Sequence, residues 1–375
     1  MEQKMIFVEE DYQALHDWLA EAGREPVLFV CDTSVRFLEE LNAFLKREEE
    51  QGVCLVPFQE FQPNPLYEQV LEGVRLFREK GCQAILAVGG GSALDVAKCI
   101  RIYSGMQGNG EDGAFLTREV PENVVPFLAM PTTAGTGSEA TRFAVIYYQG
   151  KKQSVTGLSC IPDIALMDPG ALRTLPEYQK KATMMDALCH AVESFWSVNS
   201  TKESQSYSRE SIGLILRHMD GYLANTEEGR REMLRAANLA GRAINITQTT
   251  AGHAMCYKLT SLFGVAHGHA AILCDRVLFP WMIGNTEQCI DPRGEAYLKD
   301  TLNELGRAMG CEDAEGGAAK LEEIFRRLEL AVPEADEVQY GELKTSVNPD
   351  RLKNHPIALD EDTIDRLYHR ILMPV

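Results

Sequence analysis

The order in which apolar runs and helix-like segments follow each other limits the fold of this chain more than any other feature. Up to about residue 170, β-like runs such as PVLFVCD, AILAV and VVPFLAMP are separated by helical segments such as RFLEELNAFLKREEE. This alternation is typical of a mostly parallel sheet with crossover helices. From about residue 178 onward, long amphipathic segments such as GRREMLRAANLAGRAINI follow, with almost no strand signal. The second half is therefore predicted to be all-helical.

The junction between these two patterns is predicted to be a domain boundary. The segment DPGALRTLPEYQ carries two prolines and a glycine there. A chain of 375 residues with 45% hydrophobic content is long enough for two cores. We therefore predict an α/β domain over 1–177 and a helical domain over 178–375, with the boundary placed to within several residues.

Charge and composition exclude several classes of partner. A net charge of -18 argues against binding to nucleic acid or to an anionic membrane surface. The apolar runs are much shorter than the roughly 20 residues of a spanning helix, and the N-terminus has no signal-peptide pattern. The ten cysteines form no CxxC pair, and residues such as Cys54 and Cys274 lie in apolar segments. We expect buried thiols in a soluble, cytoplasmic protein.

Four side chains have the spacing of a metal site. Asp186 and His190 are four residues apart in a helix-favouring stretch, so both point from one helix face. His253 and His267 are fourteen residues apart, which is roughly 21 Å along one unbroken helix. The helix must therefore end between them, and Gly264 is a suitable residue. Each histidine alone is more often a packed or surface residue than a ligand.

Two loops that each follow an apolar strand are candidates for binding a dinucleotide. In the first loop, backbone N–H groups and a helix N-terminus could face a pyrophosphate, although a triple glycine is also found in structural turns. Its residues are Gly89, Gly90, Gly91 and Ser92. The second loop, PTTAGTGSEAT, offers the hydroxyl groups of Thr132, Thr133, Thr136 and Ser138. Two such loops predict a dinucleotide at the carboxyl edge of one sheet.

Asp32 closes the first predicted strand and has two interpretations. Its carboxylate could accept hydrogen bonds from an adenosine ribose, and it would then repel the 2′-phosphate of NADPH. It could equally begin a turn or cap a helix. The sequence leaves both roles open.

Taken together, these motifs resemble the iron-containing (group III) alcohol dehydrogenases, relatives of dehydroquinate synthase. GGGSALDVAK is similar to the family pattern GGGSxxDxxK, DALCHAVE is similar to DALxHxxE, and PTTAGTGSE is similar to the second cofactor loop. Gaps of 63 and 14 residues to His253 and His267 fit the family's metal spacing. The resemblance implies a dehydroquinate synthase-like architecture and a metal held by the four residues above. It also places Asp95, Lys98, Thr132, Thr133 and Lys152, with the glycine loop, around the cofactor.

One position departs from the family pattern. Many members read HxMxH after the third metal ligand, whereas this chain reads HAMCY, with Tyr257 at the last position. Tyr257 could relay a proton through its hydroxyl group or could simply pack in the substrate site. His269 lies two residues beyond His267, and we interpret it as a supporting residue rather than a fifth ligand.

The resemblance implies reduction of an aldehyde by NADH, with NADPH as the alternative donor. Fe²⁺ is the expected metal and Zn²⁺ the alternative, since affinity order alone favours zinc. Runs such as ATRFAVIYYQGKK resemble the phosphonoacetaldehyde reductase branch. Lys344, before the NPDR motif, and Arg142 are candidate cations for an anionic substrate, although both could be solvated surface residues. We expect a homodimer or a larger homo-oligomer.

Other functions remain open at this stage. A reductase of butyraldehyde, lactaldehyde or succinate semialdehyde would share every motif except the two candidate cations. A lyase of the dehydroquinate synthase type would bind NAD without net consumption of NADH. A silent binding protein would bind the cofactor without turnover.

Overall fold

The computed structural model describes residues 3–9, 11–22, 25–122 and 124–373. The chain divides into two compact units. The first unit contains residues 1–133 and 137–175, and the second contains residues 134–136 and 176–375.

The first unit is built on a parallel sheet, as the alternating sequence pattern predicts. The strands of the unit are β1 (Lys4–Phe7), β2 (Val27–Cys31), β3 (Leu55–Phe58), β4 (Ala84–Gly89), β5 (Phe127–Pro131), β6 (Phe143–Tyr148), β7 (Lys151–Thr156) and β8 (Ile164–Met167). Among the described residues, six of these strands form the sheet in the order β1-β8-β5-β4-β2-β3, and every neighbouring pair is parallel. The α-helices of the unit are α1 (Gln13–Ala22), α2 (Glu39–Glu50), α3 (Tyr67–Glu79) and α4 (Gly91–Ser104).

Both faces of this sheet are covered by apolar side chains. Along β2, Leu28 and Val30 belong to one buried cluster, whereas Val27 and Phe29 belong to a second. Successive side chains of a strand point to opposite faces, so the two clusters lie on opposite faces of the sheet. Burial on both faces explains why these strands are continuous apolar runs rather than alternating patterns.

A short antiparallel hairpin interrupts the parallel pattern. Strands β6 and β7 pair with each other, and Tyr148 lies opposite Lys151. The connecting residues Gln149 and Gly150 both have positive φ, 51° and 72°. Two successive positive φ values are typical of the tight turn whose twist matches a hairpin. The sequence pattern did not predict this hairpin.

The second unit is helical, as predicted. Within residues 134–136 and 176–373 no strand is present. Its helices are α5 (Glu177–Trp196), α6 (Lys202–Leu223), α7 (Glu227–Thr247), α8 (Ala251–Phe263), α9 (His267–Ile283), α10 (Glu295–Ala308), α11 (Ala314–Arg327), α12 (Glu337–Lys344), α13 (Pro349–Leu352) and α14 (Glu361–Ile371).

The predicted break between His253 and His267 is present. Helix α8 ends at Phe263, and Gly264 follows in the left-handed region with φ of 69°. Its N–H group donates to the carbonyl of Thr260, which closes the helix end. Helix α9 then begins at His267. The glycine thus allows the chain to reverse direction between the two histidines.

Two further expectations concern membranes and cysteines. In the described part of the chain, no helix has the length and apolar character needed to cross a bilayer. All ten cysteines are free thiols, and most of them, including Cys274, are buried. Cys54 is an exception to the expected burial because it is exposed, immediately before β3.

Candidate active site

Three elements of the second unit bring the predicted metal ligands together. Helix α5 supplies Asp186 and His190 one turn apart, α8 supplies His253, and α9 begins with His267. The Nε2 atoms of the three histidines lie 3.4 to 4.0 Å from Oδ1 of Asp186. Ligand atoms bound tetrahedrally at about 2.1 Å from a metal ion would lie roughly 3.4 Å from one another. These separations therefore fit one divalent cation after small adjustments.

The four residues are not equally close to one another. Ligand atoms of Asp186, His253 and His267 all lie within 4.8 Å of each other. His190 lies beside this group, with its ring stacked on that of His253 at a centroid distance of 4.4 Å. One carboxylate and several imidazoles form a donor set suited to Fe²⁺ or Zn²⁺.

Glycine at position 268 permits the close approach of α9 to α5. A Cβ atom on Gly268 would lie 2.0 Å from the carbonyl oxygen of Ala182 and 2.6 Å from Cβ of Asp186. Both distances are far inside van der Waals contact. Helix α9 therefore reaches α5 only because residue 268 has no side chain, and this approach brings the neighbouring His267 to Asp186.

Glu193 is a buried hydrogen-bond partner of a predicted metal ligand, His253, and the sequence pattern did not predict this role. It is fully buried, and its carboxylate accepts a short hydrogen bond from Nδ1 of His253. It also accepts hydrogen bonds from the backbone N–H of His253 and the hydroxyl of Thr250. Since a carboxylate only accepts, Nδ1 carries a proton, and Nε2 is the ring nitrogen on the side of Asp186 that can bind a metal once it is deprotonated. The signal was present in DALCHAVE, as a carboxylate one turn beyond His190 in a buried helix.

The site is charged and largely buried, which shifts the pKa values of Asp186, His190 and His253. Burial opposes ionisation of Asp186, but His190, His253 and His267 together hold its pKa below the ordinary value. Burial lowers the pKa of His190 to about 4, so its imidazole is neutral at pH 7. For His253 the effect of burial is outweighed by Glu193 and Asp186, which raise its pKa to about 10. Metal binding through Nε2 of His253 therefore releases a proton.

The side of the site next to His267 is the more open one. His267 has 36% of its side chain exposed, whereas Asp186 and His253 are almost fully buried. The ring of Tyr257 stacks on His267 at a centroid distance of 5.3 Å. Nη1 of Arg351 donates to the Tyr257 hydroxyl over 3.1 Å, and the guanidinium lies 4.9 Å from the ring centroid. Tyr257 thus packs on a predicted ligand while Arg351 binds its hydroxyl group.

His269 supports the start of α9 rather than the metal cluster. Its Nδ1 pairs with the Tyr178 hydroxyl at 3.0 Å, and its Nε2 pairs with the carbonyl of Ala331 at 2.9 Å. The same tyrosine oxygen accepts the N–H of Ala266, the residue immediately before His267. Both ring nitrogens of His269 are therefore occupied, and the Tyr178 contacts fix the position of His267.

In the first unit, the predicted cofactor loops meet at the carboxyl edge of the sheet. Strands β2, β4 and β5 are neighbours, and Asp32, Gly90 and Thr132 follow them. The Gly90 N–H donates to Oδ2 of Asp32 over 3.0 Å, and the Thr132 N–H donates to the carbonyl of Gly89 over 3.0 Å. Gly91 and Ser92 begin α4, so the N-terminus of this helix lies at the same edge. This is the arrangement that the sequence predicts for a dinucleotide site.

Asp32 is used structurally in this arrangement. Its Oδ1 accepts the N–H of Ser34 over 2.8 Å and caps the short helix Thr33–Phe37. Its Oδ2 accepts the N–H of Gly90, as described above. The capping role left open by the sequence is therefore present, and the ribose contact stays a prediction.

Lys98 and Asp95 form hydrogen bonds that hold the second predicted cofactor loop in place. Lys98 is fully buried, and its Nζ donates to the Ser138 hydroxyl and to the carbonyls of Thr141 and Phe143. Asp95 accepts from the Ser138 hydroxyl over 2.7 Å and from the Val145 N–H over 2.9 Å. These bonds join α4 to the chain between β5 and β6. The structure thus gives both residues a scaffolding role next to the predicted cofactor site.

The remaining cofactor candidates are distributed around these loops. Thr133 lies next to Gly90, where an added Cβ would be 3.6 Å from its methyl carbon. Burial raises the pKa of Asp95 above its ordinary value, against the opposing charges of Lys98 and Lys152. Lys152 lies in β7, and its charge acts on Asp95. Thr136 belongs to the short segment 134–136 of the second unit.

Comparison with known proteins agrees with these observations. The sequence model of the iron-containing alcohol dehydrogenase family matches residues 2–169, and the sequence model of the family's C-terminal region matches residues 180–372. This chain belongs to the iron-containing alcohol dehydrogenases. It is therefore a member of a family of oxidoreductases, with the predicted two-part architecture.

The relatives within this family act on different substrates. The chain is 30% identical to long-chain-alcohol dehydrogenase 1 of Geobacillus thermodenitrificans over 312 residues, covering 81% of this chain and 76% of the relative. It is also 30% identical to the phosphonoacetaldehyde reductase of Streptomyces viridochromogenes over 308 residues, covering 78% and 77%. Among solved structures, the sulfoacetaldehyde reductase of Bifidobacterium kashiwanohense in complex with NAD⁺ matches with a TM-score of 0.87, 25% identity and coverage of 99% and 97%. The family is therefore established, and the substrate is a separate question.

The predicted substrate cations of this iron-containing alcohol dehydrogenase differ in their surroundings. Nζ of Lys344 lies 3.0 Å from Oδ1 of Asp362, in an ion pair that offsets its charge. Arg142 lies in the first unit, with its guanidinium 5.4 Å from the centroid of the Phe143 ring. Arg351, which the sequence analysis did not single out, lies beside Tyr257. Arg351 is the last residue of the NPDR motif.

Proposed function

We propose that this enzyme reduces a small anionic aldehyde, such as phosphonoacetaldehyde, to the corresponding alcohol with NADH as the hydride donor. The proposal rests on the substrates for which two relatives are named. Each of these relatives matches most of the chain. One is named for phosphonoacetaldehyde and the other for sulfoacetaldehyde. Both are two-carbon aldehydes that carry an anionic group. The product in the first case would be 2-hydroxyethylphosphonate.

We infer that Asp186, His190, His253 and His267 hold one Fe²⁺, with Zn²⁺ as the alternative. When bound, the metal supplies a Lewis acid for the aldehyde oxygen, and the dinucleotide supplies the hydride. Glu193 retains the proton on Nδ1 of His253 and so orients its Nε2 toward the ligand cluster. The greater exposure of His267 gives the aldehyde a side from which to approach.

We infer that the loop Gly89 to Ser92 and the second loop bind the dinucleotide. Support comes from their meeting at the carboxyl ends of β4 and β5, where the N-terminus of α4 favours a negatively charged pyrophosphate. Asp32 at the end of β2 adds a negative charge at that edge. A preference for NADH over NADPH follows from this charge, because a 2′-phosphate would be repelled.

A neutral alcohol or aldehyde is the second candidate substrate. The long-chain-alcohol dehydrogenase relative is as similar in sequence as the phosphonoacetaldehyde reductase, with 30% identity to each. Pocket chemistry, rather than overall similarity, must therefore discriminate between the two candidates.

Steady-state kinetics on a matched panel of aldehydes test the proposal. The metal-loaded enzyme is assayed at 340 nm with phosphonoacetaldehyde, succinate semialdehyde, lactaldehyde, butyraldehyde and propanal, each with NADH and with NADPH. We expect kcat/KM for phosphonoacetaldehyde to exceed that for propanal by at least about tenfold, the size of one charge-assisted contact. A higher value for the neutral aldehydes would support the second candidate. Binding of NAD without net NADH consumption on any aldehyde would contradict the proposal and favour a lyase or a silent binding protein.

Removal of one ligand tests the metal assignment separately. His267→Ala should lose both the metal and the activity, while the first unit still binds NADH, which fluorescence of the bound dinucleotide can report. Stoichiometric metal in the purified variant, with full activity, would contradict the assignment.

A further inference from the structure

Resting on the proposed function, we infer that Arg351 binds the anionic group of the aldehyde and that Tyr257 holds the guanidinium in place for this role. Three properties of Arg351 support this role: its location, its charge and its distance from the metal ligands. Arg351 would then determine specificity, whereas Tyr257 would be a positioning residue.

The location follows from the stacking of three side chains. Tyr257 covers one face of the His267 ring, and Arg351 contacts both the ring and the hydroxyl of Tyr257. His267 is the most exposed of the three clustered ligands. Arg351 therefore lies on the side of the cluster from which an aldehyde can approach. Lys344, by contrast, lies at the end of α12 and contacts Asp362 of α14.

The charge of Arg351 is not neutralised by a neighbouring carboxylate. Within the described residues, the one polar partner of its guanidinium is the neutral hydroxyl of Tyr257. Nearby lysines are different, since Lys258 pairs with Glu342 at 2.7 Å and Lys353 pairs with Asp350 at 2.6 Å. A guanidinium has five N–H donors, and this contact uses one of them. The others are available for a phosphonate, sulfonate or carboxylate, which guanidinium binds in a bidentate manner.

Arg351 lies within the reach of a short substrate. The centroid distance of 5.3 Å between His267 and Tyr257 and the 4.9 Å from Tyr257 to the guanidinium together limit the separation of Arg351 from the His267 ring to about 10 Å. A two-carbon aldehyde would span this gap if its oxygen met a metal about 2 Å from His267 and its anionic group accepted a hydrogen bond of about 2.8 Å. A longer neutral chain would gain nothing from the cation.

Tyrosine at position 257 explains why Arg351 is held at this point. A histidine, the residue in the related HxMxH pattern, is shorter than tyrosine. The tyrosine ring offers a π face to the guanidinium, and its hydroxyl accepts one N–H. Holding the guanidinium before the substrate arrives reduces the conformational entropy lost on binding. Tyr257 and Arg351 therefore act as one unit.

The test compares an anionic and a neutral aldehyde on charge-removing variants. Arg351→Gln removes the charge, Tyr257→Phe removes the hydroxyl that accepts from Arg351, and Lys353→Ala is the control, since Lys353 is a solvent-exposed cation two residues away. For Arg351→Gln we expect kcat/KM for phosphonoacetaldehyde to fall by roughly 10- to 150-fold, mainly through KM, and kcat/KM for propanal to change little. Tyr257→Phe should show a smaller loss with the same selectivity. Lys353→Ala should behave as the unmodified enzyme with both aldehydes.

A binding measurement without turnover provides the second readout. Calorimetric titration of the metal-loaded enzyme with NADH bound, a complex in which the alcohol cannot be oxidised, should show that 2-hydroxyethylphosphonate binds the unmodified enzyme and binds Arg351→Gln more weakly by a similar factor. An unmodified enzyme with no preference for the anionic aldehyde would overturn the proposed function and this inference with it. A preference that persists in Arg351→Gln, or that is lost instead in Lys344→Ala, would overturn the role of Arg351 alone. Equal losses on both aldehydes would also overturn it, because they would indicate damage to the metal site.

Discussion

Gly268→Ala is the substitution whose effect follows most directly from the geometry of the metal site. The added methyl carbon would lie 2.0 Å from the carbonyl oxygen of Ala182. Carbon atoms in contact rest about 3.5–4.0 Å apart, so α9 would have to withdraw from α5 by about 1 Å or more. Alanine is the better helix former by about 1 kcal/mol, but overpacking costs roughly 1–3 kcal/mol. We therefore expect a net loss of about 0–2 kcal/mol in the free energy of unfolding.

The effect on activity should be larger than the effect on stability. His267 precedes Gly268 directly, so a shift of α9 separates His267 from Asp186, and displacements of about 1 Å can reduce rates by about 100-fold. Metal analysis, steady-state kinetics and urea unfolding would measure the metal content, kcat/KM and the free energy of unfolding of the variant. The matched control is Gly213→Ala in α6, where an added Cβ meets no atom within 4 Å. This control should be more stable by about 0.5–1 kcal/mol and fully active. Normal metal content and activity in Gly268→Ala would refute the argument that close helix packing places His267.

Three further predictions follow from single side chains. Glu193→Gln should weaken metal retention by about 10- to 100-fold, because the proton on Nδ1 of His253 loses its ionised acceptor. Metal analysis after dialysis against increasing concentrations of a chelator measures this loss, and metal retention equal to that of the unmodified enzyme would contradict the prediction. Asp32→Gly should lower the ratio of kcat/KM with NADH to that with NADPH, and the lost cap should cost only about a few tenths of a kcal/mol of stability. An unmodified enzyme that prefers NADPH would show that Asp32 has no selective role. Burial lowers the pKa of His355 to about 4, so stability is lost as the pH falls from about 6.5 to 4, where the unfolded chain binds a proton and the folded chain does not. His355→Leu should remove about 2 kcal/mol of this acid sensitivity between pH 7 and pH 5 in urea unfolding, and an unchanged pH dependence would refute it.

The sequence predicted a good part of the site because local periodicity carries that information. Asp186 and His190 share a helix face at a separation of four residues, and this requires only that the segment be helical. The break at Gly264 followed from the length of a helix that would otherwise separate two ligands. Glu193 could have been recognised on the same grounds. Its role was missed because a buried carboxylate has no visible partner until the fold brings His253 to it.

Other features depend on contacts between distant segments. The Arg351 guanidinium meets the Tyr257 hydroxyl across 94 residues of chain, and Lys98 donates to Phe143 across 45. No local pattern distinguishes Arg351, which lies beside the candidate metal site, from Lys344, which lies in an ion pair with Asp362. Cys54 likewise lies in an apolar run and is nevertheless exposed.

By itself, the sequence determined the parallel sheet, the helical second half, the ligand spacing and the glycine loop at a strand end. These features depend on side-chain periodicity and backbone freedom, which short segments express alone. Tertiary structure alone decided that α9 approaches α5 closely enough to join His267 to Asp186, and that Asp32 and Lys98 hold the loops together. It also decided which cation lies beside the ligand cluster. Those outcomes depend on the packing of helices and strands that are far apart in sequence, where shape and hydrogen-bond geometry, rather than local pattern, select the partners.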